Sequence, residues 1–211
     1  MKGLIYKEIT IFLKGTDKRL FLIAGGAIVL LMVKTGVYAG LLASIMFAVS
    51  IGIQNVTGFT SDEKVDWKKY ELTLPVNAVS VVTGKYISVL CTLIVSLMGS
   101  MLFNLISSIA HQSFNGVFWG ISAAVSVIIP LFWTGLSLPL AYWFGYRSAQ
   151  VMGVIAVFPM FYIIKYFEDG AGGFSAMADS MLSCVAFAGI AAIVLFILSM
   201  GISVIVYNRK R

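Results

Sequence analysis

Tyr86–Ala110, YISVLCTLIVSLMGSMLFNLISSIA, runs for 25 residues without an Asp, Glu, Lys or Arg. A helix needs about 20 apolar residues to cross the roughly 30 Å hydrocarbon core of a bilayer, so this segment is long enough to span one alone. It is continuously apolar where a barrel strand would alternate. Lipid offers no partner to a free N–H or C=O, which leaves the helix as the form the segment takes. Working outward in both directions, the low-charge chain divides into six such pieces, near Leu20–Val33, Val37–Thr57, Tyr86–Ala110, Gly116–Ala141, Ala149–Lys165 and Ser180–Tyr207. Lys34 closes the first piece early unless the helix continues through Gly36 with that lysine reaching the interface. Composition agrees: of 211 residues 60% are hydrophobic and 11% charged, with mean hydropathy +0.97, far outside the range of a soluble domain. The expectation is an all-α integral membrane protein, with six transmembrane helices over residues 20–211 and an interfacial amphipathic helix over residues 1–19.

Lysine and arginine set the orientation. In a six-span arrangement thirteen of the fifteen fall on one side, and only Lys34 and Lys165 on the other. That side counts +13 − 6 = +7 and the opposite one +2 − 3 = −1, which together give the net charge of +6. The positive-inside rule therefore puts both termini and the Gly58–Lys85 loop in the cytoplasm of a multi-pass plasma-membrane protein. The basic balance reads as topology and contact with membrane lipids, and points to no nucleic acid.

Met1–Arg19 has helical spacing, with Gly3, Lys7, Thr10 and Lys14 as a polar stripe and Leu4, Ile5, Ile9, Ile11, Phe12 and Leu13 over most of the rest. This fits a helix lying at the membrane surface, although Glu8 interrupts the apolar arc; a topogenic basic leader is the competing reading. No cleavable signal peptide is expected, because charges interrupt the first twenty residues. Gly36-x-x-x-Gly40 and Gly116-x-x-x-Gly120 have the spacing that lets helices approach closely. Pro130, Pro139 and Pro159 should kink or loosen their helices, leaving carbonyls for neighbours or water to satisfy. Lys165–Asp179 reads equally as a plain outer loop or as a loop with a short re-entrant piece.

Several chemistries are excluded by what is missing. Within the spans as drawn there is no Asp or Glu, and the single cation, Lys165, sits at an outer end. A proton- or ion-coupled carrier needs an ionisable relay inside the membrane. His111, the one histidine, has no convergent partners for metal binding or acid–base work. Cys91 and Cys184 lie in apolar spans, where a thiol acts as a small hydrophobe. No catalytic residues or metal ligands are assigned, and the chain is not expected to be an enzyme. Gln54, Asn55 and Asn104 are polar residues in the spans, suited to lining a pathway or to bonding helices together. Gly84-Lys85 is followed by Tyr86, and position 79 is valine where a phosphate-cradling loop requires glycine. Any ATP is hydrolysed on another chain.

Gly58–Lys85, GFTSDEKVDWKKYELTLPVNAVSVVTGK, is the one sizeable hydrophilic stretch. Trp67, Tyr70, Leu72, Leu74 and Pro75 are threaded among its charges, the composition of a contact surface more than of a solvated linker. Pro75 disfavours helix at Leu74 and can open a new helix, so a helix, a break and a second helix are expected. Packing of Trp67 and Tyr70 as belt aromatics against the inner membrane surface is the competing reading.

Asp62-Glu63-Lys64, Trp67, Tyr70-Glu71 and Leu72-Thr73-Leu74-Pro75-Val76, followed by Gly84-Lys85-Tyr86, resemble the loop after the second span in ABC-type exporter permeases of the type-2 class, in the small six-span form common in Gram-positive bacteria. Tyr142–Ala149 resembles that family's short link before the fifth span. The resemblance implies an interfacial N-terminal helix, six spans, and a coupling helix in the first inner loop that fits a groove on a separate ATPase subunit. By position it nominates Trp67, Tyr70, Glu71, Leu72, Thr73, Leu74 and Pro75 for that contact. It implies two copies of a cytosolic ATPase carrying ATP and magnesium, a second permease that is the same chain or a paralogue, and no cofactor on this chain. The substrate expected of a pathway without fixed charge is amphipathic or hydrophobic: a peptide, a lipid or a drug. The alternative is a non-transporting membrane immunity or assembly protein that docks a cytosolic partner.

Overall fold

The computed structural model describes residues 2–15, 39–64, 67, 70, 73, 77–112, 114–145 and 174–210. These residues form five long helices: α1 (Lys2–Gly15), α2 (Ala39–Lys64), α3 (Ala78–His111), α4 (Gly116–Phe144) and α5 (Phe174–Lys210). There is no strand among them. Among the described residues four helices are long and apolar enough to cross a membrane, over Ala39–Phe59, Ala78–His111, Gly116–Phe144 and Ser183–Arg209. The protein is thus an all-α, multi-pass membrane protein. The expected spans Leu20–Val33 and Ala149–Lys165, with Pro159, lie outside the described residues.

Helix boundaries differ from the hydropathy pattern where polar residues continue a helix. Helix α2 runs on through the charged Asp62-Glu63-Lys64, and α3 begins eight residues before Tyr86. Both ends of the Gly58–Lys85 stretch are therefore helical. Phe174–Asp179, expected as part of a plain outer loop or of a short re-entrant piece, forms the first turns of α5. It holds no proline or β-branched residue to oppose helix.

The turn between α3 and α4 is tight. Gln112 takes the left-handed conformation at φ 48° that ends many helices, and the Asn115 side chain accepts a 3.1 Å hydrogen bond from the Val117 amide as the N-cap of α4. At the far end Gly145, at φ 86°, donates its amide to the Ala141 carbonyl at 3.0 Å.

Helix α4 packs against α2, α3 and α5. The main core joins Val82, Tyr86, Val89 and Leu93 of α3 to Leu131 and Leu138 of α4 and to Ala192, Phe196 and Tyr207 of α5. Pro130 and Pro139 both lie inside α4. Pro130 has no N–H, so the Ser126 carbonyl one turn earlier loses its regular partner. A neighbour fills the gap: Ser96 of α3, fully buried, donates its hydroxyl to that carbonyl at 2.6 Å.

A polar knot binds α2, α3 and α4. Asn104 Nδ2 donates to Ser44 Oγ at 3.2 Å and to the Ser100 carbonyl at 2.8 Å, and its Oδ1 accepts from Ser122 Oγ at 3.2 Å. Ser100 Oγ donates to Ser44 Oγ at 2.9 Å, and Ser44 Oγ to the Gly40 carbonyl at 2.7 Å. Gly40 permits this approach, because a Cβ there would lie 2.7 Å from Asn104 Oδ1 and 3.0 Å from Asn104 Cα. Gly116-x-x-x-Gly120 makes no comparable crossing: a Cβ at Gly120 would meet nothing within 4 Å, and one at Gly116 would meet only Phe114 of the preceding turn. That spacing is an accident of a glycine-rich apolar chain so far as contacts among the described residues go.

Candidate functional site

Helix α1 docks across α2 and α3 at the end of the bundle where α2 finishes and α3 starts. Small residues bring it close: a Cβ at Gly58 would lie 3.4 Å from both Glu8 Oε2 and Lys85 Nζ, and one at Gly84 would lie 3.5 Å from Leu4 Cβ. Gln54 of α2 donates its side-chain amide to the Phe12 carbonyl at 2.8 Å, pinning the second half of α1. One side of α1, with Tyr6 and Leu13, remains exposed.

At this crossing four charges close into a ring of alternating sign. Lys85 Nζ lies 3.0 Å from Glu8 Oε2 and 3.5 Å from Asp62 Oδ2, while Lys7 Nζ lies 2.5 Å from Asp62 Oδ1 and 3.4 Å from Glu8 Oε1. Each carboxylate bridges two ammoniums, and the ring carries no net charge. Lys85 is only 5% exposed, which a lone ammonium would not tolerate. Burial alone would push the Glu8 carboxyl up, but the ammoniums of Lys85 and Lys7 outweigh it and hold it below the ordinary value of 4.5.

Both cations also cover an aromatic face. Lys7 Nζ sits 3.9 Å from the centre of the Trp67 ring, and Lys85 Nζ 3.9 Å from that of Phe59. From Trp67 the contacts continue to Tyr70, with ring centres 5.3 Å apart. From Phe59 they continue to Tyr142 of α4 at 5.1 Å and on to Tyr207 of α5 at 5.7 Å, both edge to face.

Of the seven residues nominated for partner contact, the structure brings Trp67, Tyr70 and Thr73 together. The Thr73 amide and hydroxyl both donate to the Tyr70 carbonyl, at 3.0 and 2.7 Å, closing a turn that leaves the Tyr70 side chain 57% exposed. Glu71, Leu72, Leu74 and Pro75 lie outside the described residues. The polar candidates separate. Gln54 holds α1, Asn104 belongs to the knot of α2, α3 and α4, and Asn55 is half-buried with no partner for its Nδ2 among the described residues.

The ring itself is not legible as a motif, because its members come from three helices. Its signals were Glu8, out of place on the apolar arc of α1, and Lys85, a cation two turns inside an apolar helix. No group of three or more His, Cys, Asp or Glu among the described residues is placed to hold a metal ion. The ring's charges are spent on one another, so its capacity is mechanical: it ties one helix and one loop to two spans.

A family model described as ABC-2 family transporter protein matches residues 3–208, nearly the whole chain. No curated protein and no solved structure shows significant similarity to it.

Proposed function

The chain belongs to the ABC-2 transporter family, and from that premise we propose that it is the permease subunit of an ATP-driven exporter. Residues 20–33 and 149–165 supply the two remaining spans, and both termini face the cytoplasm of a bacterial plasma membrane. The loop between α2 and α3 docks a separate ATPase subunit that carries ATP and magnesium. Two such ATPases serve two permeases, the second being the same chain or a paralogue.

The observation that carries this reading is the Trp67–Tyr70–Thr73 turn. It presents an exposed tyrosine against the tilted ring of Trp67, the kind of aromatic anchor that interfaces bury. It is also fastened through Lys7 to the membrane helices, so force applied at the turn has somewhere to go. The interior of the described bundle is occupied by its own packing: the donors and acceptor of Asn104 are taken by Ser44, Ser100 and Ser122. We accordingly assign the pathway to the surface between two permeases, and an uncharged surface suits an amphipathic or hydrophobic substrate.

Affinity purification of the wild-type chain from its native membrane should recover a nucleotide-binding subunit with vanadate-sensitive ATPase activity. Tyr70→Asp and Leu74→Asp should reduce that recovery by about tenfold or more, as expected when a charge replaces an interface anchor. Recovery of no nucleotide-binding protein with the wild type refutes the permease reading, and undiminished recovery with both variants refutes the docking site.

A further inference from the structure

We propose that Lys85 and Glu8 are positioning residues, and that the four-charge ring is the joint through which a push on the docking turn reaches the spans. The proposal rests on the permease reading and deepens it. The ring is the sole junction, among the contacts described, at which the loop, α1, α2 and α3 all meet. Trp67 touches Lys7, Lys7 touches Asp62 and Glu8, and both carboxylates touch Lys85. Lys85 then bears on Phe59, which leads to Tyr142 and Tyr207. A contact chain therefore runs from the exposed Tyr70 into all four described spans.

Its physical character is what makes it a joint. The ring is neutral with two charges of each sign, so loss of any single member leaves a buried charge uncompensated. Side chains of this kind move between discrete arrangements, closed or open, and a ring that opens releases the Lys7–Glu8 turn of α1 from α2 and α3 together, while Gln54 still holds the Phe12 end. A purely apolar contact at the same place would slide by small steps.

The test is amide hydrogen exchange on the full chain in nanodiscs of phosphatidylethanolamine and phosphatidylglycerol. Lys85→Met should speed exchange across residues 2–15 by about tenfold or more, whereas Lys85→Arg, which keeps the charge, should stay near wild type. The pair Glu8→Gln with Lys85→Met leaves Lys7 and Asp62 as a neutral pair, so its bundle should be more protected than that of Lys85→Met alone. With the ATPase subunit bound and trapped by ATP and vanadate, the wild type and Lys85→Arg should show altered protection in α1 and in the first turns of α3, and the pair should lose that change while still binding the ATPase. Unchanged α1 exchange in Lys85→Met, or a trapped-state change that survives in the pair, overturns the proposal. A wild-type chain that binds no ATPase sinks the permease reading instead, and the exchange of α1 alone then decides whether the ring is a joint.

Discussion

Ser96→Ala isolates one hydrogen bond whose importance follows from a proline on another helix. The Ser126 carbonyl has no regular helical donor because residue 130 is proline, and the Ser96 hydroxyl reaches it at 2.6 Å in a site closed to lipid and water. Truncation removes a single oxygen, so the cavity term is small, and the cost is that of an orphaned carbonyl, about 1–3 kcal/mol. Hydrogen bonds between membrane helices average about 0.6 kcal/mol and reach about 1.7, because most groups find another partner when one is removed. The Ser126 carbonyl has lost its regular donor to Pro130, so a value near the upper end, about 1.5 kcal/mol, is expected. Pro130→Ala restores an N–H to that carbonyl, and in this background Ser96→Ala should cost only about 0.5 kcal/mol. The coupling of about 1 kcal/mol exceeds the few tenths by which independent sites fail to add. The assay is reversible unfolding in dodecylmaltoside–dodecylsulfate mixed micelles, followed by circular dichroism for the four variants of the cycle. An equal cost of Ser96→Ala in both backgrounds would refute the claim that the serine stands in for the missing amide.

Two further outcomes follow from the packing and the charges. Gly40→Ala should destabilise the bundle by about 1–3 kcal/mol, because the new methyl meets the Asn104 backbone, while Gly120→Ala should be neutral or slightly stabilising; the same micelle titration separates them, and equal effects would contradict the helix crossing. Glu8 is held below 4.5 by Lys85 and Lys7 against the opposing effect of burial, so its contribution is complete above that pH and is lost as pH falls through the depressed value. Protease protection of residues 2–15 should thus differ between wild type and Glu8→Gln at pH 7 and converge only under acid conditions; a gap that already closes near pH 6 would mean the carboxyl is not held low.

The spans were legible because hydropathy over about twenty residues is a sum in which single errors cancel. Tyr86–Ala110 and Gly116–Ala141 lie within α3 and α4 for that reason, and the misplaced ends are those where charged or small residues continue a helix without adding apolarity, at Asp62–Lys64 and Phe174–Asp179. Trp67 and Tyr70 stood out because aromatics amid charges break the local composition, whereas Thr73 was nominated only by its position in the loop that resembles the permease family. Serines gave no such signal: Ser44, Ser96, Ser100, Ser122 and Ser126 are chemically alike in the sequence, and only the register of facing helices decides which meets Asn104 and which meets the gap at Pro130. The ring was hidden for the same reason, since Lys7 and Glu8 are separated from Asp62 by about fifty residues and from Lys85 by more than seventy.

One rule accounts for both features that sequence periodicity missed. A polar group withdrawn from water must find a partner, and in a bundle of apolar spans the partner is usually on another helix. At Pro130 the requirement is a single donor, and one hydroxyl from α3 meets it locally, which stiffens a crossing and nothing more. At Lys85 the requirement is a full counter-charge, which no neutral side chain supplies, so two carboxylates from two elements are drawn in and a second ammonium follows to balance them. The larger the electrostatic demand, the more elements it recruits. A serine under a proline should therefore be changed with a local effect, whereas a change at Lys85 should be felt wherever α1, α2, α3 and the Trp67–Tyr70 turn meet.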